Sequence, residues 1–305
     1  MTRGDLREVT TGDCSDLYYL DTGMYDTDGY GAVYVYDAAR PAIVDTGIGT
    51  HHDLILDALD ELSIAREDVA VILPTHVHLD HAGGAGFLAA ACPNAEVMVH
   101  EIGAPHLVDP SRLVEGTKAA VGDQWEFYVE PEPVPAERVV ELNAGDTIDL
   151  GDHRLDVYHA PGHAPHQCVY HDRDDDSVFV GDAAGIWVPD RETVRQTSPP
   201  PNFDLDQCLA DLDTIRDLHP KALLYPHFGP VEYESELLDE YGATLREWVE
   251  AVEAKYEELG DQAAVEDHFA DATDMGEVWS ERKAREEEKL NVRGVVTALQ
   301  RREDG

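Results

Sequence analysis

The sequence predicts a layered α/β protein with two sheets, each covered by helices on its outer face. Short apolar strand segments alternate with amphipathic helical segments, and the alternation runs twice along the chain. Several of these strands end on a histidine or an aspartate, which is how a layered fold gathers a site at one sheet edge. From Glu234 onward the strand signal stops, and about three helices are expected there.

Taken in order, GAVYVYDAARPAIVDTG (Gly31 to Gly47) reads as two short strands joined by a turn at Asp37–Pro41. HHDLILDALDELSI places Leu54, Ile55, Ala58, Leu59 and Leu62 at helical spacing. VAVILPTH (Val69 to His76) is nearly all apolar, as in a strand buried on both faces. A helix through Gly86–Cys92 and a strand at AEVMVHE follow. Next comes an insertion from Ile102 to Pro135, with a helix over Pro110–Val121 and then the proline-broken WEFYVEPEPVP.

In the second block, RVVELNAGDTIDLGDHRLDVYHA reads as short strands turning at Gly145 and Gly151. QCVYHDRDDDSVFVGD is a hairpin tipped by Asp172–Asp176. LDQCLADLDTIRDLHP is an amphipathic helix that stops at Pro220, and ALLYPHFGP is another buried strand. The expected division is a catalytic domain over 1–233 and a helical C-terminal extension over 234–305. The extension's apolar stripe (Leu237, Leu238, Tyr241, Leu245, Trp248, Val249, Val252) is suited to packing on the core.

Among 305 residues, 64 are acidic and 22 basic, a net charge of −42, and the acids are spread along the whole chain. A carboxylate-covered surface repels itself at low salt. A cytoplasm of very high salt would screen that repulsion, so a halophilic source is expected. An unfolding midpoint that fell as KCl rose toward molar levels would refute this. The same charge argues against nucleic acid as a partner. Cys14, Cys92, Cys168 and Cys208 form no CxxC pair and read as free thiols. The N-terminus has no signal pattern, and no apolar run nears the roughly 20 residues of a membrane span. The expectation is a cytoplasmic protein without a membrane partner.

PTHVHLDHAGG (Pro74 to Gly84) concentrates His76, His78, Asp80 and His81 behind a buried strand. Histidine and carboxylate together suit Zn²⁺. A tight turn sends alternate side chains to neighbouring places, and one ion does not easily accept all four, so two metals are indicated. His163 in HAPGHAPHQ, Asp182 in VFVGDAAG and His227 in LLYPHFGP stand at strand exits in the same way. His166 lies three residues past His163. Trp187 and the loop through Phe203 are candidates for a substrate wall. Ser198 and Cys168 lack partner motifs and are poor nucleophile candidates.

THVHLDH with downstream APGH, VGD and PHFGP, preceded by VDTG at Val44–Gly47, resembles the metallo-β-lactamase superfamily, in order from about Val33 to Pro230. The resemblance implies a four-layer αββα sandwich with metals at the edge of its two sheets. It implies that His76, His78 and His163 hold one metal and that Asp80, His81 and His227 hold another. Asp182 would bridge them, and Asp45 would orient a ligand. Two zinc ions per chain are expected, with iron or manganese as alternatives, and Asp80 is the candidate proton shuttle. Two ions about 3.5–4 Å apart share a water and lower its pKa toward about 7.

The leading expectation is a hydrolase of a thioester or other small acyl compound, like glyoxalase II (hydroxyacylglutathione hydrolase). VGDAAG departs from the glycine–arginine signature of true glyoxalase II. A lactonase, or another ester or phosphodiester hydrolase of the same family, is the alternative on the same metals. A persulfide dioxygenase-like oxidase would instead use one iron on His76, His163 and Asp182.

Overall fold

The computed structural model describes residues 1–304; Gly305, the last position of the expected extension, lies outside them. The first sheet has the order β1 (Leu6–Glu8), β2 (Leu17–Asp21), β3 (Ala32–Tyr36), β4 (Ala42–Val44), β5 (Val71–Leu73), β6 (Glu96–His100), β7 (Val139–Leu142). Its first four strands are antiparallel hairpin partners, and β4 through β7 run parallel. Every residue of β3, β4 and β5 is buried, which explains their unbroken apolar sequence.

The chain crosses to the second sheet at Asn143–Asp146. That sheet is built from β8 (Thr147–Asp149), β9 (Arg154–His159), β10 (Cys168–Asp172), β11 (Ser177–Phe179), β14 (Ala222–Leu224) and β15 (Pro230–Glu232), in the spatial order β15-β14-β11-β10-β9-β8. Between the sheets, Tyr34, Tyr36, Leu73, Val157, Tyr170 and Phe179 form one core. The outer face of the first sheet packs on α1 (His52–Glu61) and α3 (Ala85–Ala91) through Ile55, Leu59 and Leu88. The outer face of the second packs on α6 (Leu205–Asp217), α7 (Ser235–Leu259) and α9 (Glu281–Asp304). The result is the four-layer sandwich expected from the motifs.

Two local expectations are corrected. The tight turn expected in PTHVHLDH is partly helical, because Leu79–Ala82 closes into a one-turn helix, α2, with His78 at its N-cap. The segment after Asp182 holds a small hairpin, β12 (Ile186–Val188) and β13 (Thr193–Arg195), that the proline-rich composition hid. Its turn is closed by Glu192 at φ 51°, and Val188 and Val194 are buried beneath it.

The remaining helices are α4 (Ala104–Val108), α5 (Ser111–Val121) and α8 (Gln262–Ala272). Asp204 and Asp261 cap α6 and α8, accepting from the backbone N–H groups of Gln207 and Ala264. In α7, Leu238, Tyr241, Leu245, Val249 and Val252 are buried at three- and four-residue intervals. No described helix is long and apolar enough to cross a membrane.

Candidate metal centre

Parallel pairing puts the C-terminal ends of β4 and β5, and of β11 and β14, at one edge of the sandwich. Asp45 follows β4, His76 and His78 follow β5, Asp182 follows β11, and His227 follows β14. His163 comes from the turn after β9, and Asp80 and His81 lie on α2. A Cβ on Gly84 would stand 2.4 Å from the Thr46 carbonyl oxygen, so glycine is what lets the motif lie against the exit of β4. Thr46 then holds the His81 carbonyl with both its N–H and its hydroxyl, each at 2.7 Å.

All eight residues singled out from the sequence meet here. His76 Nε2 and His163 Nε2 lie 3.0 and 3.1 Å from His78 Nδ1. His81 Nε2 faces Asp182 Oδ1 at 3.5 Å and Asp80 Oδ2 at 3.7 Å. Asp182 also reaches His163 Nε2 at 3.4 Å and His227 Nε2 at 3.6 Å. The donor atoms form converging groups, His76–His78–His163, Asp80–His81–His227 and a third, His76–His81–Asp182, that shares a residue with each, all within 4.8 Å. Asp45 lies behind, 3.2 Å from His81 Nδ1, and accepts from the Thr75 backbone N–H at 2.7 Å. The Thr75 hydroxyl in turn lies 3.2 Å from His76 Nδ1.

The electrostatics are those of a cation site. Burial, then the other histidines, push His76 and His163 well below their ordinary range. Burial drives His78 down to about 4 and His227 to about 3, so both are neutral and ready to donate lone pairs. Burial raises Asp182 to about 7. Burial opposes a charged His81 as well, yet the carboxylates of Asp182, Asp80 and Asp45 push it up to about 10. A field that holds a proton on a buried imidazole would hold a metal cation in its place.

The polar atoms agree. His81 Nε2 and Asp182 Oδ1 are buried and have no hydrogen-bond partner among the described residues, although they face each other across the centre. Such atoms are rare in a folded protein unless something fills the gap. The donor set fits metal ions: neutral imidazoles and carboxylates, converging and backed by a hydrogen-bonded second rank.

A cavity of about 460 Å³ opens over the centre. Its floor holds Asp80, Asp182, His163 and His227. One wall is α5, another is Thr197 with Pro199–Asn202, and a third is Lys283, Glu287 and Leu290 of α9. The proline-rich loop therefore contributes its 197–202 stretch, whereas Trp187 packs outward against the helical core. Ser198 is fully buried, bonded to Asn291 and accepting from Trp248 Nε1, which is a structural post. Burial pushes the Cys168 thiol up to about 12, so it stays protonated. His166 Nδ1 accepts from the Val77 N–H at 3.3 Å and so steadies the motif from the cavity side.

Sequence reasoning missed the aromatic and ionic groups that surround the centre. The Tyr30 ring stacks on His227 with centroids 4.5 Å apart. Lys283 Nζ lies 4.1 Å over the Tyr25 ring and pairs with Glu287. Tyr25 and Tyr128 join their hydroxyls. Tyr25 holds φ 54° and ψ 30°, a left-handed backbone uncommon for tyrosine, and that strain is invisible in a one-dimensional pattern.

The family model of the metallo-beta-lactamase superfamily matches residues 26–227. A solved archaeal metallo-beta-lactamase superfamily protein from Sulfolobus tokodaii superposes with TM-score 0.70 at 24% identity, over 93% of this chain and 99% of that one. An acyl-coenzyme A thioesterase of Homo sapiens is 27% identical over 192 residues, which is 54% of this chain and 62% of the relative. A hydroxyacylglutathione hydrolase of Maricaulis maris is 31% identical over 157 residues, 51% of this chain and 48% of the relative. The match thus spans about three fifths and about half of these two relatives' lengths.

Proposed function

This chain belongs to the metallo-beta-lactamase superfamily, and from that premise we propose that it is a two-metal hydrolase of thioesters. The observation that carries the reading is the donor set: His76–His78–His163 and Asp80–His81–His227, linked through His76–His81–Asp182, under a cavity with three walls. The similarity to a thioesterase and to a hydroxyacylglutathione hydrolase supports a thioester over other acyl bonds.

His76, His78 and His163 would hold one ion and Asp80, His81 and His227 the second, with Asp182 shared and Asp45 orienting His81. Zinc is the metal we favour, because the donors are nitrogen and carboxylate oxygen. Metal ions bound there would activate water at neutral pH and polarise the scissile carbonyl.

The chain's own groups do the rest. Burial opposes ionisation of Asp80, yet His81, His227 and His78 hold its carboxyl below the ordinary range. Asp80 lines the cavity, and it is the group we assign to carry a proton there. The Tyr25 and Tyr128 hydroxyls share one hydrogen bond and own two protons, so one O–H is left to donate to a substrate oxygen. Burial, with Asp80 nearby, keeps the Tyr128 proton in place. The α5, α9 and proline-loop walls frame the cavity over the centre, where a substrate would lie.

The test is metal quantification on protein purified in high salt, followed by a panel of thioesters, lactones and phosphodiesters. Two zinc ions per chain with thioesters as the fastest substrates is the expected result. One iron per chain with oxygen uptake on a persulfide would overturn it, and faster lactone turnover would move the reading to the alternative acyl class.

A further inference from the structure

His166 lies three residues past His163, beside the centre, and the donor groups leave it without a task. The turn that carries both histidines is closed on itself. Ala160 N–H donates to the Gln167 carbonyl and Gln167 N–H to the Ala164 carbonyl, each at 3.0 Å. The Pro165 carbonyl accepts from His159 Nε2 at 2.8 Å. The His166 ring lies parallel to His76 with centroids 6.0 Å apart, and perpendicular to His78 at 5.5 Å. It is 8% exposed and lines the cavity.

One contact fixes where its proton sits. The Val77 N–H can only donate, so His166 Nδ1 offers it a lone pair, at 3.3 Å. An imidazolium has no lone pair to offer, so the ring is neutral and carries its proton on Nε2. That N–H has no acceptor among the described residues, yet it is not sealed from solvent as His81 Nε2 and His171 Nε2 are. His106, the next imidazole on the cavity wall, is 6.5 Å away between centroids, too far for a hydrogen bond. A buried ring seldom leaves a donor unused, and the cavity is the open space beside this one.

We propose that His166 is a catalytic residue whose Nε2–H donates to the acyl oxygen of the bound thioester, and to the oxyanion that this oxygen becomes. A donor already aimed needs no reorganisation when charge develops on the oxygen. Its other nitrogen is held by the backbone between His76 and His78, so donor and ligands are positioned as one unit. No proton leaves the ring in this role, which therefore adds to that of Asp80. The proposal rests on the hydrolytic reading and names the side chain that meets the carbonyl.

The experiment compares wild type, His166→Asn and His166→Gln, with zinc in excess throughout. Asparagine places an amide oxygen where Nδ1 stands and can accept from Val77, but nothing of it reaches the Nε2 position; glutamine can put an N–H there. Readouts are metal per chain, kcat and KM on an S-ethyl thioester, and calorimetric affinity for two thioether ketones. One is butylthio-trifluoropropanone, whose ionised hydrate is a tetrahedral oxyanion, and the other is its unfluorinated counterpart. His166→Asn should keep its metals and KM, lose about 100-fold in kcat, and lose about tenfold of the preference for the fluoroketone. His166→Gln should recover most of both.

Wild-type kcat and fluoroketone preference in His166→Asn would reduce His166 to an acceptor for Val77, overturning the proposal and leaving the hydrolytic reading intact. A loss that glutamine does not correct would overturn it as well. A wild type that hydrolyses no thioester, but whose fluoroketone preference is erased by asparagine and restored by glutamine, would sink the hydrolytic reading and keep the donor.

Discussion

The two ends of β9 carry two buried clusters of similar composition and opposite character. At the N-terminal end, His153, Asp172 and Asp175 converge as closely as a metal site would require. There the carboxylates are already spoken for. Asp172 accepts from the Tyr36 hydroxyl at 2.8 Å, lies 2.8 Å from His153 Nδ1 and accepts from the Asp174 N–H at 2.9 Å. Asp175 takes the N–H and hydroxyl of Ser15. At the C-terminal end, imidazole nitrogens face one another, and His81 Nε2 and Asp182 Oδ1 have no partner among the described residues. Residue type alone does not distinguish a staple from a ligand site; the count of satisfied atoms does.

The sharpest way to break that contrast is to delete one aspartate from each end. Asp182→Ala should lower hydrolysis by more than the roughly 100-fold that losing a ligand's outer partner costs, with the fold retained by circular dichroism. Asp172→Ala should instead leave activity near wild type well below its midpoint. It should lower unfolding stability by about 3 kcal/mol in urea titrations, because buried donors lose their acceptor. Full activity in Asp182→Ala would end the two-metal reading.

Chelation gives the next effect. Stripping metal should lower the wild-type midpoint by several degrees, recovered on adding zinc, since a ligand at 100 times its Kd adds about 2.7 kcal/mol. Asp172→Ala should show the same recovery and Asp182→Ala little of it. Asp45→Asn should weaken metal affinity by about 10- to 100-fold without removing a donor, measured by competition with a chelating dye.

The smallest effect is one of pH at the other end. The hydrogen bond to Asp172 is the main cause that raises His153 above its ordinary value of 6.5. A raised value in the folded state means stability that is fully present below about 6.5 and lost as pH climbs through the raised value. The stability gap between wild type and His153→Gln should therefore be wide in mild acid and narrow in alkali. A gap that grew with pH would show that the pair is not a charged one.

The strands and the eight polar residues were legible because each lies at the end of an apolar run, and parallel pairing converts that one-dimensional position into a shared edge. The one-turn helix α2 was not, since four residues carry no periodicity. Neither were Tyr25, Tyr128 and Lys283, which come from three segments far apart in sequence and owe their place at the cavity to packing of α9 and the insertion against the sandwich. Nothing in DTGMYDTDG or in SERKAREEEKL announces that Lys283 will lie over Tyr25. His163 stood out by its strand exit and motif, whereas nothing in the sequence marked His153 as part of a cluster; what its neighbours bond shows that cluster to be a staple.

The wall contributed by α9 has a consequence for how the protein is made. Every metal-donor candidate lies between His76 and His227, so the centre can be assembled once the sheets have formed. Lys283, Glu287 and Leu290 emerge from synthesis dozens of residues later. Until α9 docks, the second sheet lacks part of its outer cover and the cavity lacks one of its walls, so the pocket is the last part of the molecule to be completed.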